Sequence, residues 1–167
     1  MNVEENYIVF AIKQFQTYKA LAEKAFVQVK DEQLFSQPNE ESNSIGMIVQ
    51  HMAGNMLSRW TDFMTTDGEK EWRTRDEEFE PVQHSKIAVY LLWEKGWQCL
   101  FDALEGLSPA ELHHTVYIRK EAHTVLEAIN RQIAHYSYHV GQIVFIAKML
   151  KQGEWDNLSI PKRKKDM

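Results

Sequence analysis

The sequence has one cysteine in 167 residues, Cys99, so it can form no internal disulfide and its fold must rest on an apolar core. The flanking stretch Trp97-Gln98-Cys99-Leu100-Phe101 contains no His or basic residue to lower a thiol pKa, which points to packing rather than reactivity. Long apolar runs are also missing. No stretch reaches the roughly 18 consecutive apolar residues of a membrane span, and Met1-Asn2-Val3-Glu4-Glu5 lacks the basic region and apolar run of a secretory signal. A cytosolic protein with no membrane partner is expected. Excess positive charge is absent too: 19 Lys and Arg against 24 Asp and Glu give a formal charge of −5. That balance argues against the broad basic surface that binds nucleic-acid backbone. There is no internal repeat and no low-complexity tract.

What is present is apolar periodicity. With 44% apolar residues, residues 1–167 suffice for one domain, and four long segments read as helices. The first, over about residues 4–30, carries Tyr7, Ile8, Phe15, Tyr18, Leu21, Ala22, Ala25 and Phe26 at three- and four-residue spacing, the mark of one buried stripe. After the turn formers of residues 36–43, Ser44 is placed to cap a second helix running to about Met64, with Asp67-Gly68 ending it. Residues 66–81 form a densely charged connection with Trp72 and Phe79 as apolar points, solvated by default. A third helix is expected from about Val82 to Leu104, carrying Ile87, Tyr90, Leu91, Trp93, Trp97, Leu100 and Phe101. A short helical turn at Ser108-Pro109-Ala110-Glu111 follows. Alternation between His113 and His123 reads as a small hairpin. Thr124-Val125-Leu126-Glu127 has capping-box spacing and opens a fourth helix reaching about Gln152. The fold class expected is all-α, a four-helix bundle with a small hairpin or irregular insert before the last helix.

Two histidines on the fourth helix, His135 and His139, are four residues apart, which stacks their imidazoles about 40° apart around the axis. Two nitrogens can then reach one metal ion. His51 is the natural third ligand: it lies within an apolar stretch, at the edge of the stripe made by Ile45, Met52, Met56 and Phe63. The bland alternative is a core histidine bonded to a backbone carbonyl. Three imidazoles from two facing helices leave a coordination position open, the pattern of a catalytic rather than a structural site. Since ligation needs neutral imidazole, metal affinity is expected to fall as pH drops through roughly 6.5.

The run Ser44-Ile45-Gly46-x-x-x-x-His51-x-x-Gly54-Asn55, together with His135-x-x-x-His139-x-Gly141-Gln142, resembles the DinB/YfiT-like superfamily of metal-dependent bundles over nearly the whole chain. The charged segment 67–79 and Leu158-Ser159-Ile160-Pro161 resemble one branch of it. The resemblance implies one divalent ion per chain, zinc or nickel or else iron, held by His51, His135 and His139. It also implies a metal-assisted S-transferase that activates a low-molecular-weight thiol of the bacillithiol type against an electrophile. Val140 departs from the pattern, since many relatives carry arginine there, and a substrate role for that arginine does not transfer.

Other residues are weighed singly. Asn55 and Gln142 are placed either to orient a ligand or a bound water, or simply to pack. Trp72, Arg73 and Arg75 would supply an aromatic wall and anion-binding guanidiniums if their loop folds over the cleft; otherwise they are solvated. His84, His113, His114 and His123 read as surface histidines, and the basic tail over 161–167 as a solvated end. Alternatives to the transferase are a metal-dependent hydrolase, which would need a general base beside the site, and a non-enzymatic, stress-related metal or ligand binder. A homodimer is expected both from the resemblance and from the fourth helix. There Ile129, Ile133, Val140, Ile143, Val144 and Ala147 fill one face while Ala134, Tyr138 and Phe145 lie on another. Cover by the charged loop or hairpin of the same chain is the competing explanation.

Overall fold

A computed structural model describes residues 2–81 and 85–160. Four helices dominate it: α1 (Val3–Phe26), α2 (Ile45–Trp60), α3 (Lys86–Glu105) and α4 (Val125–Leu150), with a hairpin of β1 (Thr115–Ile118) and β2 (Glu121–Thr124) immediately before α4. Each helix starts on a residue that can accept hydrogen bonds from its free N–H groups. Asn2 and Glu5 form a reciprocal box on α1, the Ser44 hydroxyl accepts from Met47 N–H on α2, Ser85 accepts from Ala88 N–H on α3, and Thr124 pairs reciprocally with Glu127 on α4. Such caps contribute about 1 kcal/mol each, and the expected starts at Ser44 and Thr124 agree with the structure.

The helices form two layered pairs, α2 on α3 and α1 on α4. Helix α2 is the innermost element: thirteen of its sixteen residues are buried. Its approach to α3 is set by Gly96, where a Cβ would come within 3.0 Å of the Ala53 Cα. Between the pairs, Phe15, Trp97 and Tyr136 pack as a cluster of tilted and edge-on rings. The Tyr136 hydroxyl is buried with them and is satisfied by accepting from Trp60 Nε1–H at 3.2 Å and donating to Asn55 Oδ1 at 3.0 Å. No described helix is long and apolar enough to cross a membrane.

Several expected boundaries move. Helix α1 stops at Phe26 and α4 at Leu150, short of Lys30 and Gln152. Helix α2 ends at Trp60, because Thr61 turns to extended backbone and Asp62 adopts φ 48°, a left-handed conformation that Asp tolerates better than most residues; Phe63 and Met64 follow in a turn. The third helix begins at Lys86, and Val82 and His84 lie outside the described residues, as does the basic tail 161–167. On α3 the buried stripe is Val89, Trp93, Gly96, Trp97, Leu100 and Leu104, leaving Ile87 and Leu91 exposed. His113 and His114 are exposed as expected, but His123 is only half-exposed.

The charged connection is not a solvated loop. It contains a 3-10 helix, Arg75–Phe79, and is fixed to the bundle at four points. Ser58 Oγ donates to the Gly68 carbonyl at 2.8 Å and accepts from Lys70 N–H at 3.1 Å. Gln50 donates to the Glu77 carbonyl at 2.7 Å. Arg73 and Glu78 are drawn inward against α2. Finally, the Asp67 carboxylate accepts from the backbone N–H of Arg119 at 2.9 Å and of Lys120 at 2.7 Å. These two residues make the hairpin turn with φ of 53° and 65°, where Asn-Gly is the usual solution, and the Asp67 carboxylate offsets the strain of holding side chains there.

Candidate metal centre

His51 on α2 and His135 and His139 on α4 meet where those helices face each other. The Nε2 atoms of His51 and His135 are 3.3 Å apart and those of His135 and His139 are 3.0 Å apart. Imidazole nitrogens about 2.0–2.1 Å from one ion would be separated by about 3.3 Å in a tetrahedral site and about 2.9 Å on one face of an octahedral one. Both of these spacings fall within that range. Three such donors in one cluster lie close enough together to hold a metal ion.

The opposite nitrogen of each ring decides whether the Nε2 lone pairs are free. His51 Nδ1 is 2.9 Å from Glu78 Oε2, and His139 Nδ1 is 2.8 Å from Gln142 Oε1, with His135 Nδ1 facing Gln132 Oε1 at 3.4 Å. Each partner atom is an acceptor, so each Nδ1 carries the hydrogen and each Nε2 presents its lone pair to the others. Three converging lone pairs repel one another unless a cation lies between them. This residue set therefore fits a metal ion and has the outer hydrogen bonds that orient metal-binding histidines.

Electrostatics agree. Burial, with the neighbouring His139 and His51 adding to it, pushes His135 down to about 3. For His139, burial outweighs the Gln142 hydrogen bond and pushes the ring down to about 4. Both rings are neutral near pH 7, and competition between protons and metal at these nitrogens sets in below the ordinary imidazole range.

Glu78 was not singled out by sequence reasoning. Its carboxylate is buried between His51 and Arg73, whose Nε and Nη2 donate to Oε1 at 2.7 Å and Oε2 at 2.8 Å. Burial opposes the charge on Glu78, but hydrogen bonds from Arg73 and His51 outweigh it and hold the carboxyl below the usual range. The room for Glu78 comes from Gly54: a Cβ on that helical glycine would lie 2.2 Å from Glu78 Oε1 and 2.8 Å from its Cδ. Phe79, next in the chain, stacks on the His51 ring with centroids 4.7 Å apart. Gln132 was missed as well, although its position three before His135 mirrors that of Gln142 three after His139.

The other expected residues divide. Gln142 orients His139 and donates to the Tyr138 hydroxyl, whereas Asn55 Oδ1 accepts from Tyr136 although the residue lines the cavity. Arg73 is committed to Glu78. Arg75 lies over the Phe79 ring at 5.1 Å and reaches the cavity. Trp72 does not: it is 59% exposed and borders a separate depression with Gln50, Gly54 and Leu57. Above the three histidines lies a cavity of about 450 Å³ lined by all of them, by Tyr138 and Gln142, and by five arginines.

Residues 2–164 match the model of a family described as a protein of unknown function, DUF1572. No curated protein matches the chain.

Two outcomes follow from this geometry. Gly54→Ala removes a poor helix former yet forces Glu78 away from His51, so metal affinity should fall by about 10- to 100-fold, the usual effect of losing an outer partner; unchanged affinity by competition with a chelator would deny Glu78 its orienting role. The second concerns pH. The unfolded chain protonates His135 and His139 below about 6.5, but the folded chain does so only near 3 and 4, so the unfolded state binds more protons between those limits. Metal-free protein should therefore lose stability as pH falls from about 6.5 to about 5. Denaturant titrations should show a shallower decline for the His135→Gln, His139→Gln double variant, and an equal decline would place the dependence elsewhere.

Proposed function

The chain belongs to the DUF1572 family, and we propose that it is a metal-dependent thiol S-transferase of the DinB/YfiT-like superfamily. Its ligands are His51, His135 and His139, for a divalent ion, zinc or nickel before iron. The observation that carries this reading is the convergence of three Nε2 atoms whose ring partners leave every lone pair free. A divalent ion bound there supplies a Lewis-acidic position that lowers the pKa of a thiol.

The chain's own residues do the rest. Glu78, Gln132 and Gln142 fix the three rings in one tautomer. Phe79 closes one wall against His51 and limits water, and the cavity admits a small thiol together with an electrophile. In the transfer a sulfur–carbon bond forms as the carbon–leaving-group bond breaks, and the thiol proton passes to solvent. Hydrolysis is less well supported, because a general base is needed and no carboxylate lines the cavity among the described residues. Both oxygens of Glu78 are already engaged, and Asp62 is not among the lining residues. A cytosolic setting, where small thiols stay reduced, suits this reading.

A homodimer belongs to the same proposal. Tyr138 and Phe145 on α4 are 61% and 65% exposed, so neither the charged connection nor the hairpin covers them. A second copy packed on this face would also border the mouth of the cavity, which Tyr138 lines.

His139→Ala should leave the circular dichroism of a helical bundle intact while weakening metal binding by more than the roughly 100-fold that loss of an outer partner produces. A screen of low-molecular-weight thiols with electrophiles should show turnover by the metal-loaded protein and none by His51→Ala. Metal binding without any turnover would leave a binding protein, and wild-type affinity in His139→Ala would reject the site. For the dimer, light scattering should give a mass near twice the 19.6 kDa of one chain, and Phe145→Glu should return it to that of one chain; a wild-type mass of one chain rejects it.

A further inference from the structure

We infer that the cavity above the histidines contains an oxyanion subsite, anchored by Arg59 and completed by Arg131, that takes the carboxylate or phosphate groups of a polyanionic small molecule. The inference rests on the proposed function only in placing the substrate in this cavity; the subsite itself needs no metal.

Arg59 is the observation that requires explanation. Its side chain lines the cavity and is 3% exposed, yet Nε and Nη1 find no acceptor among the described residues. Buried guanidinium groups are ordinarily paired, and Arg73, which lines the same cavity, shows how this chain does it, with a two-pronged bond to Glu78. Arg59 has no counterpart to Glu78. Instead it lies against Gly68, where a Cβ would fall 2.6 Å from Nη1 and 2.9 Å from Cδ, so the chain has made room for the guanidinium without neutralising it. Burial pulls its pKa below the usual value, and the opposing influence of Tyr136 and Glu69, itself countered by Arg131 and Arg73, does not restore it.

The surroundings compound the imbalance. Arg59, Arg73, Arg75, Arg119 and Arg131 all line the cavity, and no Asp or Glu does among the described residues. Arg119 reaches Glu69 at 3.1 Å and Arg75 reaches the exposed Asp76 at 3.7 Å, but no described carboxylate pairs with Arg59 or Arg131. A cleft lined by one sign of charge concentrates ligands of the other. Guanidinium donors are spaced to bind carboxylate and phosphate oxygens in pairs. Two unpaired arginines, with two more at the rim, select a ligand carrying at least two negative charges over one carrying a single charge.

Isothermal titration calorimetry of the full chain with inorganic phosphate, succinate and acetate tests this. Phosphate, succinate or both should bind saturably, at least about tenfold more tightly than acetate, and whichever binds identifies the oxyanion. Arg59→Met should weaken that binding by about tenfold or more and Arg131→Ala by severalfold, while His139→Ala, with a metal ligand removed, should keep it. If Arg59→Met does not fold, Arg131→Ala decides, since Arg131 is exposed. No saturable binding by either polyanion overturns the inference, as does wild-type affinity in the arginine variants. Binding lost in His139→Ala but kept in the arginine variants would put the anion on the metal and also overturn it. Polyanion binding by a wild-type chain that holds no metal would reject the proposed function and leave the subsite standing.

Discussion

The buried contact between Glu78 and His51 is the constraint on which the site depends. A carboxylate can only accept, so it fixes the hydrogen on His51 Nδ1 and turns Nε2 toward His135. It can remain ionised there only because Arg73 meets it with two donors. Removing either partner would leave an uncompensated buried charge, a far larger penalty than the net worth of the pair. The two residues and Gly54 therefore act as a unit. Gly54 weakens its own helix in order to admit the carboxylate, and the helix tolerates this because it is buried by packing on almost every side.

This arrangement makes the connection between α2 and α3 part of the histidine site. Ser58, Gln50 and Asp67 fasten it along its length, and through Asp67 it also holds the hairpin turn that carries Arg119 to the cavity rim. Part of the loop's charge has a structural role: Arg73–Glu78 and Arg119–Glu69–Arg73 form networks on its inner side, while Glu71, Arg75, Asp76, Glu77 and Glu80 are exposed. Networks of this kind hold geometry better than isolated surface pairs, which contribute about 0–1 kcal/mol.

Periodicity made the four helices, their caps at Ser44 and Thr124 and the hairpin legible in the sequence, because each is written in local spacing. His135 and His139 were legible for the same reason, and His51 because an imidazole amid apolar residues needs a partner. Glu78 was not. Asp76, Glu77 and Glu78 are chemically alike in sequence, and only the turn of the 3-10 helix decides which one faces α2. The same holds for Arg73 and Arg75, of which one is buried and paired and the other stacks on Phe79, while Trp72 points elsewhere. On α3, residues spaced by three and four allowed two stripes, and tight packing at Gly96 selected the one through Trp93 and Trp97 over the one through Ile87 and Leu91. Local rules could not extend α2 correctly either, since Phe63 and Met64 continue its period after Asp62 has broken its backbone.

The placement of opposite charges separates the two halves of the cavity. Around the histidines, every ring Nδ1 is matched to an acceptor: Glu78 for His51, Gln132 for His135, Gln142 for His139. Around Arg59, donors are left without acceptors. If both halves served only stability, the same economy would govern both, because an unmatched buried donor costs more than a matched one gains. Orientation of the three Nε2 lone pairs toward one another explains the first half. The second makes sense as a surface whose acceptor arrives from solution, held ready by a glycine on one side and a clamped loop on the other, so that little reorganisation is needed when a ligand enters.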